Sequence, residues 1–409
     1  MSPGSAAKPA NGTPVVPLHG WMPRALYIHI PFCTNKCFYC DFNSYVVEGQ
    51  PVDAYLDALE REMERTVRDL PPETIRKVFV GGGTPTVLTP PQMKRFLDSV
   101  ARHFPVAPDA EFTMEANPGT TDPAKLEAML AGGVNRISFG AQSFDNGLLA
   151  AIGRIHEADD VVRSIANARA AGFRNLSIDL MFGLPRQTLK QLEDSVEKAL
   201  ELDLPHYSLY SLKVEENTLF HRLYERGELP LPEEEVEVAM FQHLRTRLSE
   251  AGYRQYEISN FAKPGFESRH NSTYWRNEPY YGLGAGAHGY ARGERHMNVK
   301  GVQAYIDAAS AGLPRKETNP VSEREAMEDF MMVGLRLLEG VRAADFRRQF
   351  GGASPEDVFG PVLEKLMDQG LLEKFEADAD ANADYDGGAG YRLTEKGIPL
   401  GNEVFGAFL

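Results

Sequence analysis

The sequence predicts an α/β fold in which six strand-helix units form a partial barrel, followed by a small helical domain. Short runs of apolar and β-branched residues alternate with longer amphipathic segments, a pattern typical of a parallel sheet with crossover helices. The segments between the runs are long enough for a helix in each connection. From about residue 321 the composition changes to densely apolar helices, which indicates a separate C-terminal domain.

The six predicted strands are short and are separated by helical segments. They cover residues 26–30, 77–80, 111–115, 136–139, 176–181 and 207–212. The first helix has apolar residues at helical spacing from Tyr55 to Val67, with Asp53 as the predicted N-cap. Thr89 is the predicted N-cap of the second helix, because Pro90 suits the first helical position.

Four segments divide the chain. Residues 1–22, rich in Pro, Ala and Gly, are expected to form a flexible tail, and residues 23–255 form the barrel. Residues 256–320 form a connecting region with an aromatic motif, and residues 321–409 form the C-terminal domain. An Asp- and Ala-rich segment at 376–386 is predicted to be a surface loop.

The composition indicates an acidic protein without a membrane span. Of the 409 residues 43% are hydrophobic and 25% are charged, and no apolar run reaches the roughly 18 residues needed to cross a bilayer. The first 22 residues lack the pattern of a secretory signal, so we expect a reducing, cytoplasmic location. The net charge of −15, and the nine basic against 18 acidic residues after position 320, argue against nucleic acid as a partner.

The three cysteines of the chain, Cys33, Cys37 and Cys40, lie together directly after the first predicted strand. Three neighbouring thiolates can hold a 4Fe-4S cluster and leave one iron open to a substrate or cofactor. Zinc with His29 as fourth ligand is the alternative, but the spacing is not that of a zinc finger. A disulfide framework is disfavoured, because the number of cysteines is odd and no other cysteine exists.

Polar residues recur at the carboxyl ends of the predicted strands, where this architecture places its sites. The second strand runs into a loop of three glycines, Thr84 and Pro85, whose N–H groups can bind a carboxylate. Glu115 ends the third strand, Gln142 follows the fourth, and Asp179 lies within the fifth. Because an unpaired charge in an apolar strand is costly, Asp179 indicates either a ligand site or a buried ion pair, for which Arg154 is the candidate partner.

These motifs resemble those of the radical S-adenosylmethionine (SAM) family of oxygen-independent coproporphyrinogen III oxidase. The resemblance rests on the Tyr-Ile-His-Ile-Pro-Phe-Cys segment from Tyr27, the glycine-Thr-Pro loop and the Asp-Leu-Met-Phe-Gly-Leu-Pro segment from Asp179, and it extends to the C-terminus. It implies a partial (β/α)6 radical SAM barrel and a C-terminal helical, winged-helix-like domain.

The resemblance also implies the cofactors and their ligands. Cys33, Cys37 and Cys40 would hold a 4Fe-4S cluster whose open iron binds the amino and carboxylate groups of S-adenosylmethionine. The implied contacts to this cofactor are Tyr27, Gly82, Gly83, Thr84, Glu115, Gln142, Arg154 and Asp179. Their chemistry agrees: Glu115 and the glycine loop suit the ammonium group, Arg154 suits the carboxylate, and Gln142 or Asp179 suits the ribose hydroxyls.

Two features resemble the haem chaperones of this family rather than the oxidase. Phe42 stands two residues after Cys40, where the oxidase pattern has a fourth cysteine. The segment His270-Asn271-Ser272-Thr273-Tyr274-Trp275 resembles the haem-binding motif of the chaperones, which implies haem contacts from His270, Asn271, Tyr274 and Trp275. A histidine can ligate haem iron and aromatic faces can lie beside a porphyrin, although a packed, hydrogen-bonded histidine is the alternative.

The expected function is that of a haem chaperone that binds haem, a 4Fe-4S cluster and S-adenosylmethionine and delivers haem to apoproteins such as respiratory enzymes. The alternatives are the oxidase, which decarboxylates propionates oxidatively, and a radical SAM tetrapyrrole methyltransferase or haem-degrading relative. Whether SAM is cleaved, and so whether an electron donor takes part, is left open. The resemblance allows a homodimer. His288, in a loop of small residues, has no assigned role and suits either a flat ligand or a turn.

Overall fold

The computed structural model describes residues 22–377 and 388–409. The predicted N-terminal tail before residue 22 and most of the predicted Asp- and Ala-rich loop therefore lie outside the described residues. The elements of the first half are, in chain order, β1 (Ala25–Ile30), β2 (Phe32–Cys33), β3 (Tyr45–Val46), α1 (Val52–Asp69), β4 (Ile75–Gly82), α2 (Pro90–His103), β5 (Val106–Ala116), α3 (Pro123–Ala131), β6 (Arg136–Gln142), α4 (Asn146–Ala151), α5 (Ala158–Ala171), β7 (Asn175–Phe182), α6 (Leu189–Glu201) and β8 (His206–Ser211).

The second half continues the same sheet and then forms the C-terminal domain. Its first elements are α7 (Leu219–Glu225), α8 (Glu234–Glu250), β9 (Arg254–Glu257), β10 (Asn260–Ala262), α9 (Arg269–Trp275), β11 (Tyr280–Leu283), β12 (His288–Ala291), β13 (Glu294–Asn298), α10 (Val302–Ala311) and β14 (Arg315–Pro320). The C-terminal domain contains α11 (Glu323–Gly334), β15 (Val341–Arg342), α12 (Ala343–Gln349), α13 (Pro355–Asp368), β16 (Leu372–Ala377), β17 (Gly388–Leu393) and α14 (Gly401–Gly406).

Six parallel strands in chain order form the centre of the barrel. Strands β1, β4, β5, β6, β7 and β8 are neighbours in that order, and each adjacent pair is parallel. Each of them overlaps one of the six predicted strands. The predicted (β/α)6 partial barrel is therefore confirmed, with helices in the connections and the buried faces of the strands in one apolar core.

The sheet extends beyond the predicted barrel boundary at residue 255. Strand β11 pairs parallel with β1 and continues through β12, β13 and β14, while β10 pairs antiparallel with β8 and β9 with β10. The segment 256–320, expected to connect two domains, thus adds strands at both edges of the sheet. These strands have three to six residues, and β14 is exposed along its whole length, so they lack the apolar runs that mark the central strands.

Two helix caps were predicted, and one of them is wrong. Thr89 caps α2, since its hydroxyl accepts a hydrogen bond from the Gln92 N–H at 3.4 Å. Helix α1 instead begins at Val52 after Pro51, so Asp53 lies in its first turn. There the Asp53 carboxylate accepts from Gln92 Nε2 at 3.1 Å and lies near the positive end of the helix dipole.

The C-terminal domain has its own apolar core. Strands β15, β17 and β16 form a three-stranded antiparallel sheet, and helices α11 to α14 pack around it through side chains such as Met331, Phe346, Leu363 and Val404. The pairing of β16 with β17 corresponds to the wing of the predicted winged-helix-like domain. Within residues 22–377 and 388–409, no helix is both long and apolar enough to cross a membrane.

Candidate functional site

The three cysteines line one cavity at the carboxyl end of the barrel strands, which we call the cysteine cavity. Cys33 ends the short strand that follows β1, and the loop carrying Cys37 and Cys40 folds back on it. The Cys40 N–H donates to the Cys37 carbonyl at 3.3 Å, and the Val47 N–H donates to the Cys33 carbonyl at 2.8 Å. All three thiols are half-exposed and free of disulfides, so a ligand can reach them.

The donor set fits a 4Fe-4S cluster with one open iron. Three free thiols line one cavity, and three cysteine ligands leave one iron of such a cluster open. The Thr84 hydroxyl and Arg154 Nη1 donate to Cys33 Sγ and Cys37 Sγ respectively, each at 3.5 Å. Burial raises the pKa of the Cys33 thiol, and the Thr84 hydrogen bond opposes that increase.

The zinc alternative fails because His29 has no free ring nitrogen. Its Nδ1 shares a hydrogen bond with the Tyr27 hydroxyl and its Nε2 one with the Asn43 carbonyl, both at 2.8 Å. The position of the His29 ring also leaves no space for a side chain at Gly82 in the glycine loop. A Cβ at Gly82, where φ is +107°, would lie 2.2 Å from the His29 ring.

Seven of the eight predicted SAM contacts line the cysteine cavity together with the three cysteines. They are Gly82, Gly83, Thr84, Glu115, Gln142, Arg154 and Asp179. The eighth, Tyr27, lies in the wall of an adjoining cavity. The structure thus brings the predicted groups together, and their individual contacts to the cofactor remain predictions.

Glu115 and Asp179 are carboxyl groups inside the barrel. The Gly82 N–H donates to Glu115 Oε2 at 3.0 Å, while burial and the neighbouring Asp179 raise the pKa of Glu115 to about 7. Asp179 Oδ1 accepts from the Ser138 hydroxyl at 3.2 Å, and burial raises its pKa as well. A ligand that brings positive charge or hydrogen-bond donors would favour the ionised form of both groups.

The ion pair between Arg154 and Asp179, the alternative to a ligand role for Asp179, is not among those formed in the described part of the chain. Arg154 Nη2 donates instead to the Gly140 carbonyl and, at 2.8 Å, to Asn117 Oδ1. Asn117 Nδ2 also donates to the Thr84 hydroxyl at 2.8 Å. Sequence reasoning missed Asn117, although it follows Glu115 by two residues, the spacing that places two side chains on one face of an extended chain.

The backbone of β6 is adapted to the same site. A Cβ at Gly140 would lie 2.9 Å from Gln142 Nε2 and 3.1 Å from Arg154 Nη2. The pairing register with β7 shifts between Gly140 and Gln142, and Gln142 has a φ of +65°. Positive φ at a residue other than glycine is strained and is frequent at functional sites.

A second cavity, of about 380 Å³, adjoins the cysteine cavity and shares Phe42, Gly82 and Glu115 with it. We call it the tyrosine cavity, because Tyr27, Tyr274 and Tyr280 lie in its wall together with His288 and Lys300. Phe42 is 61% exposed. Simple apolar packing therefore does not account for this side chain, which stands in the wall between the two cavities.

The predicted haem-binding motif forms α9, which packs near the amino ends of β4 and β5. The N–H groups of Arg269 and His270 both donate to the Glu111 carboxylate at 2.9 Å. The His270 ring is fully buried, shares a hydrogen bond with the Tyr274 hydroxyl at 2.9 Å, and lies 5.2 Å from the Phe79 ring. Burial, with contributions from Lys77 and Arg136, lowers the pKa of His270 to about 3, so the imidazole is neutral.

The four predicted haem contacts do not share one surface. Tyr274 lies in the wall of the tyrosine cavity, whereas Trp275 lines a cavity of about 280 Å³ against the C-terminal domain. There the Arg336 guanidinium lies 4.2 Å above the Trp275 ring. The Asn271 N–H donates to the Ser268 hydroxyl as part of the helix cap. Haem contact by these residues remains a prediction.

Comparison with known proteins identifies the relatives of this chain. Residues 27–199 match the Radical SAM superfamily and residues 321–376 match the HemN C-terminal domain. Heme chaperone HemW of Bacillus subtilis is 47% identical over 94% of this chain and 99% of its own, and that of Lactococcus lactis is 41% identical over 95% and 97%. The solved structure of coproporphyrinogen III oxidase (HemN) from Escherichia coli has a TM-score of 0.81 over 95% of this chain and 90% of that one. At 23% sequence identity, this last likeness shows the fold alone.

Proposed function

Because the chain belongs to the HemW family of the radical SAM superfamily, we propose that it is a haem chaperone, which binds haem and delivers it to apoproteins. The observation that carries this function is the 47% identity to a heme chaperone over nearly the whole of both chains. The geometry supports it, because a cavity with aromatic walls adjoins the cysteine cavity.

The cysteine cavity holds the cofactors in this proposal. A 4Fe-4S cluster held by Cys33, Cys37 and Cys40 supplies an open iron for the amino and carboxylate groups of SAM. Thr84 and Arg154 donate hydrogen bonds to the sulfur atoms of Cys33 and Cys37, and the Thr84 hydrogen bond favours the ionised form of the Cys33 thiol.

The remaining polar groups of this cavity orient SAM. Glu115 and the backbone of Gly82 and Gly83 suit the ammonium group, Arg154 suits the carboxylate, and Gln142 or Asp179 suits the ribose hydroxyls. Tyr27 is the proposed contact on the side of the tyrosine cavity.

Haem contact by α9 is part of the same proposal, through His270, Asn271, Tyr274 and Trp275. Tyr274 already lies in the wall of the tyrosine cavity. His270 Nδ1 is buried and has no hydrogen-bond partner among the described residues, so it is the ring nitrogen available for a further bond. Since the ring itself is fully buried, iron can reach it only if α9 moves.

The proposal includes the setting in which the protein works. We place it in the cytoplasm, where reducing conditions keep the three cysteines free of disulfides and available to a cluster. An apoprotein receives the haem, an electron donor takes part if SAM is cleaved, and a homodimer is the proposed assembly. The acidic net charge of −15 is consistent with protein rather than nucleic-acid partners.

The test is an anaerobic titration of the cluster-reconstituted protein with haem, followed by Soret absorbance and then by addition of apomyoglobin as acceptor. We expect saturable binding and transfer of haem to the acceptor, with weaker binding by His270→Ala. His221→Ala is the matched control, because His221 is a half-exposed histidine on α7. Absence of saturable binding, or SAM-dependent decarboxylation of coproporphyrinogen III, would overturn the proposal.

A further inference from the structure

The tyrosine cavity contains an exposed histidine to which the α9 motif gives no role. His288 begins β12, directly after the loop of small residues 284–287. Its side chain is exposed, and within residues 22–377 and 388–409 its ring makes no hydrogen bond or ion pair. By contrast, both ring nitrogens of His29 are bonded, and His296 Nε2 shares a hydrogen bond with the Gly282 carbonyl at 3.2 Å.

The loop before His288 is held firmly on both sides. Asn43 Nδ2 donates to the Ala285 carbonyl at 2.8 Å, and the Gly284 N–H donates to Glu62 at 2.8 Å. Gly284 has a φ of +99°, and a Cβ there would lie 2.4 Å from the His29 carbonyl oxygen. His288 therefore projects from a fixed backbone, which is what a positioned metal ligand needs.

Lys300 is the cation near His288 that suits an anionic group of an iron-containing ligand, and the wall of the cavity also carries the carboxyl groups of Asp41 and Glu115. Partial burial, with the positive charge of Lys300, lowers the pKa of His288, and Glu317 opposes that effect. A neutral imidazole is the form that ligates iron. Lys300 is exposed, and no carboxylate among the described residues pairs with it, so its ammonium group is available to a carboxylate of the ligand.

We propose that His288 is the axial ligand of a haem bound in the tyrosine cavity, with Lys300 pairing with a propionate and Phe42 lying against the macrocycle. His270 then acts on the haem indirectly, through its hydrogen bond to Tyr274 in the cavity wall. This inference rests on the proposed function and assigns it a binding site. Tyr280 and Tyr274, whose rings are 4.9 Å apart in an edge-to-face contact, form an aromatic part of the same wall.

Apart from the cysteine cavity, whose thiols are assigned to the cluster, two further cavities among the described residues lack a histidine or cysteine to ligate iron. The 280 Å³ cavity beside Trp275 has no histidine or cysteine among the described residues that line it. The same is true of a cavity of about 440 Å³ that lies at the amino end of the barrel beside Lys77 and Arg269. The tyrosine cavity combines an accessible imidazole, aromatic faces and a cation at a volume within the range of small-molecule sites.

The first test compares haem binding by cluster-reconstituted wild-type protein, His288→Ala, His288→Met and the control His221→Ala under anaerobic conditions. We expect His288→Ala to bind haem at least about tenfold more weakly, since loss of even a group that supports a metal ligand costs about 10–100-fold. His288→Met should restore part of the affinity with a different Soret and charge-transfer spectrum, because the thioether is a different axial ligand. His221→Ala should match the wild type in haem affinity and in its absorption spectrum.

The possible outcomes distinguish an error in the proposed function from an error in the proposed haem ligand. If wild-type protein fails to bind haem, the proposed function itself is wrong. If His288→Ala keeps both the affinity and the spectrum of the wild type, His288 is not the ligand, and loss of binding in His270→Ala would place the haem at α9. Iron content and SAM binding of each variant show whether the fold and the cysteine cavity are intact.

The second test concerns the propionate. Lys300→Ala should weaken binding of haem by about two- to fivefold, the range for a partly exposed ion pair, and should leave binding of haem dimethyl ester unchanged. Lys316→Ala removes an exposed lysine on β14 that is not among the residues lining the tyrosine cavity, and serves as the control. Equal weakening of haem and of its dimethyl ester by Lys300→Ala would refute the pairing.

Discussion

Glu62 is a buried carboxyl group whose ionisation should control the stability of the loop that presents His288. It lies on α1, is 2% exposed, and accepts hydrogen bonds from the Gly284 N–H at 2.8 Å, from Asn298 Nδ2 at 2.6 Å and from the Tyr305 hydroxyl. Burial raises the pKa of Glu62 to about 7 from an ordinary value of 4.5, although the Tyr305 hydrogen bond opposes the increase.

The sign and the size of the pH effect on stability follow from the difference between the pKa of Glu62 in the folded protein and its ordinary value. A carboxyl group with a raised pKa in the folded state stabilises the fold when it is protonated, below about pH 4.5. This stability is lost as the pH rises through about 7, because the unfolded chain ionises more readily. The full difference is about 3 kcal/mol of unfolding free energy, most of it between about pH 5 and pH 8.

The assay is urea unfolding of wild-type protein and Glu62→Gln at about pH 5 and pH 8. Because the glutamine cannot ionise, the unfolding free energy of the wild type should fall by about 2 to 3 kcal/mol relative to that of the variant between the lower and the higher pH. Glu64→Gln, which changes an exposed glutamate on the same helix, should show no such pH-dependent difference. A wild-type to Glu62→Gln difference that is equal at both pH values would refute the reasoning.

Two further predictions concern the SAM contacts, and isothermal titration of the cluster-reconstituted protein with SAM checks both. Gly140→Ala should weaken SAM binding roughly tenfold, or about 1.4 kcal/mol, because the new Cβ displaces Gln142 and Arg154. Gly360→Ala is the control and should leave SAM binding unchanged, because a Cβ there meets nothing within 4 Å. Asp179→Ala should weaken SAM binding by about ten- to a hundredfold if its carboxylate accepts the ribose hydroxyls, and unchanged affinity would remove Asp179 from the site.

The central strands were predictable because each is an apolar run buried in the sheet. Strands β1 and β6 are almost entirely buried, and that burial is what the apolar run reports. Strands β12 and β14 escaped prediction because they are short or exposed and are held mainly by backbone pairing. Every residue type except proline supplies both a backbone donor and a backbone acceptor, so strand pairing through the backbone leaves little trace in the sequence.

The site was predictable to the extent that its groups are neighbours in the chain. The three cysteines lie within eight residues, and their spacing alone indicates a cluster. The hydrogen bonds of Asn117 to Thr84 and Arg154 span 33 and 37 residues, and its position two residues after Glu115 indicates a shared face but not these partners. The ion pair of Arg154 with Asp179, one of the two alternatives that the sequence left open, is not formed among the described residues, because Asn117 and the Gly140 carbonyl satisfy the guanidinium instead.

Phe42 lines both cavities, so the residue type at this position affects which ligands each cavity can bind. It stands in their shared wall and exposes 61% of its side chain, and exposed apolar area costs about 25 cal/mol for each Å² that a ligand could cover. A fourth cysteine at this position, as in the oxidase pattern, would present a thiol to both cavities. The phenyl ring presents an apolar face, which a flat macrocycle in the tyrosine cavity would cover while leaving the cysteine cavity to the cluster and SAM. Residue 42 therefore favours haem binding beside the cofactor over a further thiol-dependent step at this wall.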